Sequence, residues 1–268
     1  MKLPVVDVTN KKVSEMEMPS QFNEEVRSDL IKRAVVTIQK NNRQPYGAKY
    51  GAGLRASGKL SRRRRHYRGS YGIGISRIPR KILSRRGTRM NWAGAVSPGT
   101  RGGRQAHPPK AGKILNKKIN KKEKRKAIRS ALSATVSRQL VVLRGHQVPE
   151  GYPIIIESSF ENLEKTSDVK KTFENLGLLA EMTRTSEKTI RSGKGKLRSR
   201  KYKRKIGPLI VVSKQCKIMK SSKNIPGVDV VTVNNLNAEL LAPGAMPGRL
   251  TIFTDESIKR LKSEKLFL

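Results

Sequence analysis

Apolar side chains follow regular periods at both ends of this chain and lose all regularity in its middle. Over residues 21–40, Phe22, Val26, Leu30, Ala34 and Ile38 recur every four positions, which predicts a helix with one buried face. Glu24, Glu25 and Asp29 sit where the dipole of that helix favours acids. A second helical pattern covers residues 121–143, with Ala127, Ile128, Ala131, Leu132, Thr135 and Val136 on one face. Its strongly basic start opposes the dipole, so an outside anion is expected there. Short β-branched runs predict strands at 5–8, 153–156, 209–213, 228–233 and 250–254, and the continuously apolar 153–156 reads as a central buried strand. Residues 168–178 read as a helix after a Thr166-Ser167 cap. Thr254 is placed to cap a last helix, with Asp255 and Glu256 in its first turn and Lys259, Arg260 and Lys262 near its end.

Strands alternating with helices predict an α/β fold: an open, mostly parallel sheet flanked by helices, with a long extended basic loop. The globular body is expected at 1–45 and 113–268, and the loop at 46–112. In that loop glycines, isolated tyrosines and arginines alternate without a period of two or of 3.6. A stretch of this length is either functional or disordered. Doubled back on itself it could reach roughly 110 Å, at ~3.3 Å per residue.

Charge sharpens the picture. No Asp or Glu occurs from residue 31 to residue 122, yet Lys and Arg run throughout, including Arg62, Arg63, Arg64 and Arg65 in succession. The formal net charge of the 268 residues is +39, with a pI near 11.0. Such a chain faces a polyanion, and nucleic acid fits better than a membrane surface, because the arginines are interleaved with Gly, Ser and His instead of bulky apolar residues. No segment approaches the ~20 apolar residues of a membrane span, and the amino terminus lacks a signal-like apolar stretch.

The candidate contacts follow from residue type. Arg55, Arg62, Arg63, Arg64, Arg65, Arg68, Arg85, Arg86, Arg89, Arg101 and Arg104 offer planar forks for phosphate. Tyr67, Tyr71 and Trp92 stand among them as stacking groups, or as local packing within the loop. Gly72 and Gly74 permit close backbone approach. A second cluster holds Arg191, Lys194, Lys196, Arg198, Arg200, Lys201, Lys203, Arg204 and Lys205 around Tyr202. Alone it would read as a solvated surface loop; beside the longer cluster it reads as a phosphate contact.

Catalytic chemistry finds little support. Gly193-Lys194-Gly195-Lys196-Leu197 lacks the first glycine and the hydroxyl of a phosphate-cradling loop, and Gly72-Ile73-Gly74 lacks a third glycine. The most basic region has no carboxylate to hold Mg²⁺. His66, His107 and His146 are scattered, and the single cysteine, Cys216, excludes an intrachain disulfide and reads as an inert thiol of a reducing cytoplasm. The competing functions are an RNA chaperone or nucleic-acid packaging protein, and an RNA-modifying enzyme with a basic arm.

The string from Met90-Asn91-Trp92-Ala93-Gly94 through Ser97-Pro98-Gly99-Thr100-Arg101-Gly102-Gly103-Arg104 to His107-Pro108-Pro109-Lys110 closely resembles the long-loop segment of the large-subunit ribosomal protein L-four family, in its archaeal and eukaryotic form. Val26-Arg27-Ser28-Asp29-Leu30-Ile31 is similar to the family's first helix, and the 191–202 cluster to its second basic motif. Lys223-Asn224-Ile225-Pro226-Gly227-Val228, Leu241-Ala242-Pro243-Gly244 and Pro247-Gly248-Arg249-Leu250 complete the match, which covers essentially the whole chain. The resemblance implies a structural, non-enzymatic constituent of the cytoplasmic large ribosomal subunit. Its implied partners are large-subunit rRNA, neighbouring ribosomal proteins and the nascent peptide, with no membrane. His107 and Lys110 join the implied RNA contacts. The loop tip, expected at Gly72, Gly74, Arg77, Arg80 and Lys81, would line the peptide exit tunnel near the L-twenty-two protein. No cofactor or protein-held metal is implied; structural Mg²⁺ would belong to the RNA. A chain ending at Leu268, without a long basic tail, is expected to be of archaeal type.

Overall fold

The computed structural model describes residues 1–66 and 69–268. The chain forms two compact units, one made of Met1–Asn42 with Asn116–Leu268 and the other of Arg43–Leu115.

The first unit begins with β1 (Lys2–Val6), β2 (Lys12–Glu17) and α1 (Ser28–Asn41). The inserted unit contributes β3 (Arg80–Arg86) and β4 (Arg89–Gly94). The chain returns with α2 (Lys121–Val136), α3 (Arg138–Leu143), β5 (Ile154–Ile156), α4 (Thr166–Asn175) and α5 (Leu179–Ser186). A small hairpin, β6 (Lys188–Ile190) and β7 (Tyr202–Arg204), precedes β8 (Leu209–Val212), α6 (Ile218–Ser221), β9 (Asp229–Thr232) and α7 (Ala238–Leu241). Strand β10 (Thr251–Thr254) and helix α8 (Asp255–Ser263) close the unit.

Six strands form one sheet in the order β2-β1-β5-β10-β8-β9, parallel throughout except for the β1–β2 hairpin. Alternation along the central strands builds two cores. Ile155, Leu209, Val211 and Phe253 face α1, α2, α7 and α8. Ile154, Ile156, Ile210, Val212 and Ile252 face α3, α4 and α6. Every residue of β5, β8 and β10 is buried, as strands covered on both faces require.

The ends of β8 and β10 are tied together by buried Glu161. It accepts from the Ser213 backbone N–H (2.9 Å), the Ser213 hydroxyl (2.8 Å) and the Thr254 hydroxyl (2.6 Å). The Thr254 hydroxyl also receives the Ser257 N–H, so the predicted cap is present. Open α/β sheets commonly bind ligands at this carboxyl edge; here Glu161, Ser213 and Thr254 bond one another across it.

Several boundaries differ from the sequence pattern for identifiable reasons. Phe22 continues the four-residue period but belongs to a 3-10 turn, Ser20–Phe22, where its ring packs edge-on against Phe253 at 5.3 Å. Glu24 does not face the α1 dipole; it pairs with Arg129 of α2 at 2.8 Å. The pattern over 121–143 is broken at Ser137, whose backbone is extended, and the Tyr152 hydroxyl donates to the Thr135 carbonyl at the break. The basic start of α2 carries Glu123, which pairs with Arg33 of α1 at 3.0 Å. Strand β2 escaped detection because almost all of it is exposed, leaving no alternation to read.

Arg249, 1% exposed, is the largest fully buried side chain among the described residues. Its guanidinium donates to the Gly207 carbonyl (2.9 Å), the Leu240 carbonyl (3.0 Å) and Asp229 Oδ2 (2.5 Å), joining the approaches to β8, β9 and β10. Replacing Arg249 with Leu is expected to destabilise the unit by about 3 kcal/mol, by stranding these acceptors. Arg249→Lys is expected to recover little of it, because one ammonium cannot span three directions. Urea midpoints of the full chain followed by circular dichroism check both.

Candidate nucleic-acid interface

The unit Arg43–Leu115 has nineteen Lys and Arg residues and no Asp or Glu. Among its described residues, Ala95 is the one hydrophobic side chain that is buried. Backbone hydrogen bonds hold it instead. Lys59 and Arg80 exchange N–H to carbonyl bonds, Ala95 N–H donates to Pro79, and Arg104 N–H donates to Val96. Gly53, at φ +77°, lets the chain pass Arg104 so closely that a Cβ there would lie 2.5 Å from the Arg104 nitrogen. Turns and ladders without a core leave little free energy to offset chain entropy.

The β3–β4 hairpin was not legible as a strand pair, because neither face is apolar and its register shifts between Ile82 and Ser84. At its turn Arg86 stands directly opposite Arg89. Like charges in that position repel unless an anion lies between them. Arg85 donates through Nε to the Gly87 carbonyl at 2.9 Å, bracing the turn.

Arg62, Arg63, Arg64 and Arg65 are exposed in a turn, with Arg65 at φ +51°. Tyr67 and Arg68 lie outside the described residues. Arg101, Arg104, His107 and Lys110 are exposed, and Arg55 is exposed while donating to the Tyr50 carbonyl at 2.9 Å. Trp92 is half-buried beneath the Arg80 guanidinium, 5.5 Å from its ring centre, and that guanidinium also donates to the Ser76 carbonyl and hydroxyl. Trp92 and Arg80 therefore pack on each other. Of the expected tip residues, Gly72 (φ +78°), Gly74 (φ +67°) and Arg77 lie in exposed turns, with Arg77 over the Tyr71 ring at 5.4 Å. Arg80 and Lys81 are instead half-buried at the start of β3, opposite Gly94 and Ala93.

The second cluster belongs to the other unit and is built on the β6–β7 hairpin. Lys188 lies opposite Arg204 and Ile190 opposite Tyr202, a second like-charge pair across a ladder. The half-exposed Tyr202 ring has the ammonium groups of Lys201 and Lys188 at 5.4 and 5.7 Å. Lys194, Lys196, Arg198, Arg200, Lys201, Lys203 and Arg204 are exposed, and Arg191 is half-buried. Lys205 pairs with Glu187 at 3.3 Å. Lys188 was missed as part of this face, since only the ladder register brings it beside Tyr202.

A buried carboxylate positions this hairpin. Glu181 accepts from Arg184 (2.6 and 2.7 Å) and the Gln147 N–H (2.9 Å), and is hydrogen-bonded to His146 Nδ1 at 2.7 Å. Arg184 also donates to the Ile206 carbonyl at 2.7 Å, where the chain leaves the hairpin. Burial alone would raise the Glu181 pKa, but hydrogen bonds from Arg184, His146 and Gln147 hold it below its ordinary value of 4.5. Nothing in the sequence signalled that His146 and Glu181 meet. Cys216, half-buried, has its thiol pushed up to about 11 by burial and the Glu161 carboxylate, so it is protonated at neutral pH.

Among the described residues no group of three or more His, Cys, Asp or Glu could hold a metal ion, and no helix is long and apolar enough to cross a membrane. An α/β unit with one cationic, aromatic-bearing hairpin, and an acid-free inserted unit with another, define a strongly basic protein. Residues 16–264 match the model of the Ribosomal protein L4/L1 family, and the chain belongs to that family. It is similar to the large ribosomal subunit protein uL4 of Nanoarchaeum equitans, 46% identical over 268 residues, covering 100% of both chains. The uL4 proteins of Methanocaldococcus jannaschii (43% over 264 residues, 98% of each chain) and Methanothrix thermoacetophila (40% over 263 residues, 98% of this chain and 99% of the relative) are also similar. Membership of a family of structural ribosomal proteins makes the chain a non-enzyme of the cytoplasmic translation machinery.

Because Glu181 is held below 4.5 in the folded state, its stabilisation is complete above the unfolded value and is lost as pH falls through the folded one. Glu181→Gln is expected to lower stability at pH 7 by about 3 kcal/mol. It is also expected to flatten the loss of stability below pH 4.5, which urea midpoints measured across the acid range check.

Proposed function

We propose that this protein is a structural constituent of the large ribosomal subunit that binds and stabilises large-subunit rRNA, with its inserted unit lining part of the peptide exit tunnel. The observation that carries the reading is a unit of nineteen cations, no acid and almost no buried apolar side chain, in a member of a ribosomal family. Such a unit gains its order from an external polyanion. Cations at opposed positions, Arg86 with Arg89 and Lys188 with Arg204, would each bridge phosphates from neighbouring RNA segments and release counterions. RNA helices that otherwise repel can then pack. Recognition is mostly of folded shape, since A-form grooves hide base edges, with exposed Tyr71 and Tyr202 available to unpaired bases. Neighbouring large-subunit proteins are the remaining partners, and any structural Mg²⁺ belongs to the RNA.

The tunnel role rests on the turns around Gly72, Gly74 and Arg77, which are exposed and held by few contacts. With the family resemblance, these exposed turns support a loop tip at this point, facing the nascent peptide.

Two experiments test this. The tagged full chain is expected to sediment with the large subunit after a high-salt wash; release to the top of the gradient would favour an RNA chaperone or packaging protein acting outside the ribosome. Removing residues 72–77, which spares β3, is expected to leave that sedimentation unchanged while altering transit of nascent peptides through the tunnel. Unaltered transit would remove the tunnel role and leave the rRNA role standing.

A further inference from the structure

The inserted unit contains an open hollow of about 960 Å³ between residues 46 and 115. Its walls include the Tyr46 ring, the His107 imidazole, the Pro108 and Pro109 rings, and the cations Lys110 and Lys113. Gln105 lines it too and can both donate to and accept from a base edge. The volume falls at the upper end of the range typical of small-molecule sites, ~300–1,000 Å³. No acid occurs anywhere in this unit, so the hollow repels no phosphate.

The frame of the hollow is built. Ala48 N–H donates to the Pro109 carbonyl at 3.0 Å and Lys113 N–H to the Lys110 carbonyl at 3.1 Å. Gly47 runs so close to Ala111 that an added Cβ would lie 2.8 Å from its nitrogen. The Arg43 guanidinium sits 5.1 Å from the centre of the Tyr46 ring, covering part of it, and the ring remains 55% exposed. Residues with flat rings, a base-edge amide and two lysines line one open space.

We propose that this hollow receives a single unpaired nucleotide, its base stacked on Tyr46 and the prolines and its phosphate held by Lys110 and Lys113. The proposal rests on the RNA-binding reading and narrows it: one site on the inserted unit selects an extruded nucleotide where the rest of the surface reads backbone. A nucleotide could arrive from folded RNA or as a free mononucleotide; the chain's charge favours RNA, whose flanking phosphates add attraction a lone nucleotide lacks.

The test compares binding of the full chain to two labelled RNA hairpins by fluorescence anisotropy, one fully paired and one with a single bulged adenosine. The bulged hairpin is expected to bind about tenfold more tightly, within the range for stacking one base. Tyr46→Ala is expected to abolish the preference and Tyr46→Phe to keep it. Lys110→Gln together with Lys113→Gln is expected to weaken binding of the bulged hairpin more than of the paired one. Equal affinities for the two hairpins, or a preference that survives Tyr46→Ala, would overturn the proposal while leaving general RNA binding intact. Failure of both hairpins to bind would overturn the RNA reading itself. Displacement of the bulged hairpin by micromolar adenosine monophosphate would make this a free-nucleotide site and overturn the RNA assignment.

Discussion

Charge that cannot be neutralised from within governs this molecule. All acids lie outside residues 31–122, and those near the sheet are used there. Glu24 holds Arg129, Glu123 holds Arg33, Asp229 holds Arg249, and Glu181 holds Arg184. The inserted unit has none of these partners, and it places Arg86 across a ladder from Arg89. Repulsion of that kind works against the compact state unless an anion is supplied. The two units thus obey different rules: one is stabilised by two apolar cores and internal ion pairs, the other is held by backbone hydrogen bonds with almost no core.

The stable unit also shapes the interface. Glu181, completely buried, anchors Arg184, and Arg184 grips the carbonyl of Ile206 at the exit from the β6–β7 hairpin. A cationic hairpin with an exposed tyrosine is thereby attached to a rigid α/β scaffold. Glu161 performs the corresponding task at the ends of β8 and β10, an edge where related architectures keep ligands. The polar groups of the body position and close; the cations of its surface face outward.

The α/β class was legible because burial leaves a mark on sequence. Strands covered on both faces, such as Ile154–Ile156 and Leu209–Val212, must be apolar at every position. Thr254 announced its helix because a cap needs a side-chain acceptor at one place only. Elements without a fully buried side chain left little mark: β2, β3 with β4, and β6 with β7 are joined by backbone ladders with half-buried or exposed side chains. The same limit applies to the interface. Which cations are present was plain from composition, but the partnership of Lys188 with Tyr202, or of Arg80 with Trp92, depends on ladder register and turn geometry. Trp92 read equally as a base-stacking group or as local packing, and the Arg80 guanidinium of its own hairpin lies against its ring. The meeting of His146 with Glu181, 35 residues apart, is a tertiary event without a local signal.

The central claim is that the inserted unit takes its order from a bound polyanion while the α/β unit is ordered by its own cores. Amide hydrogen exchange of the full chain, with and without large-subunit rRNA, measures this directly. The account predicts that amides of Arg80–Arg86 and Arg89–Gly94 exchange at least about tenfold more slowly when RNA is added, while those of β5, β8 and β10 are unchanged. Equal protection of the β3–β4 hairpin in both states would contradict it.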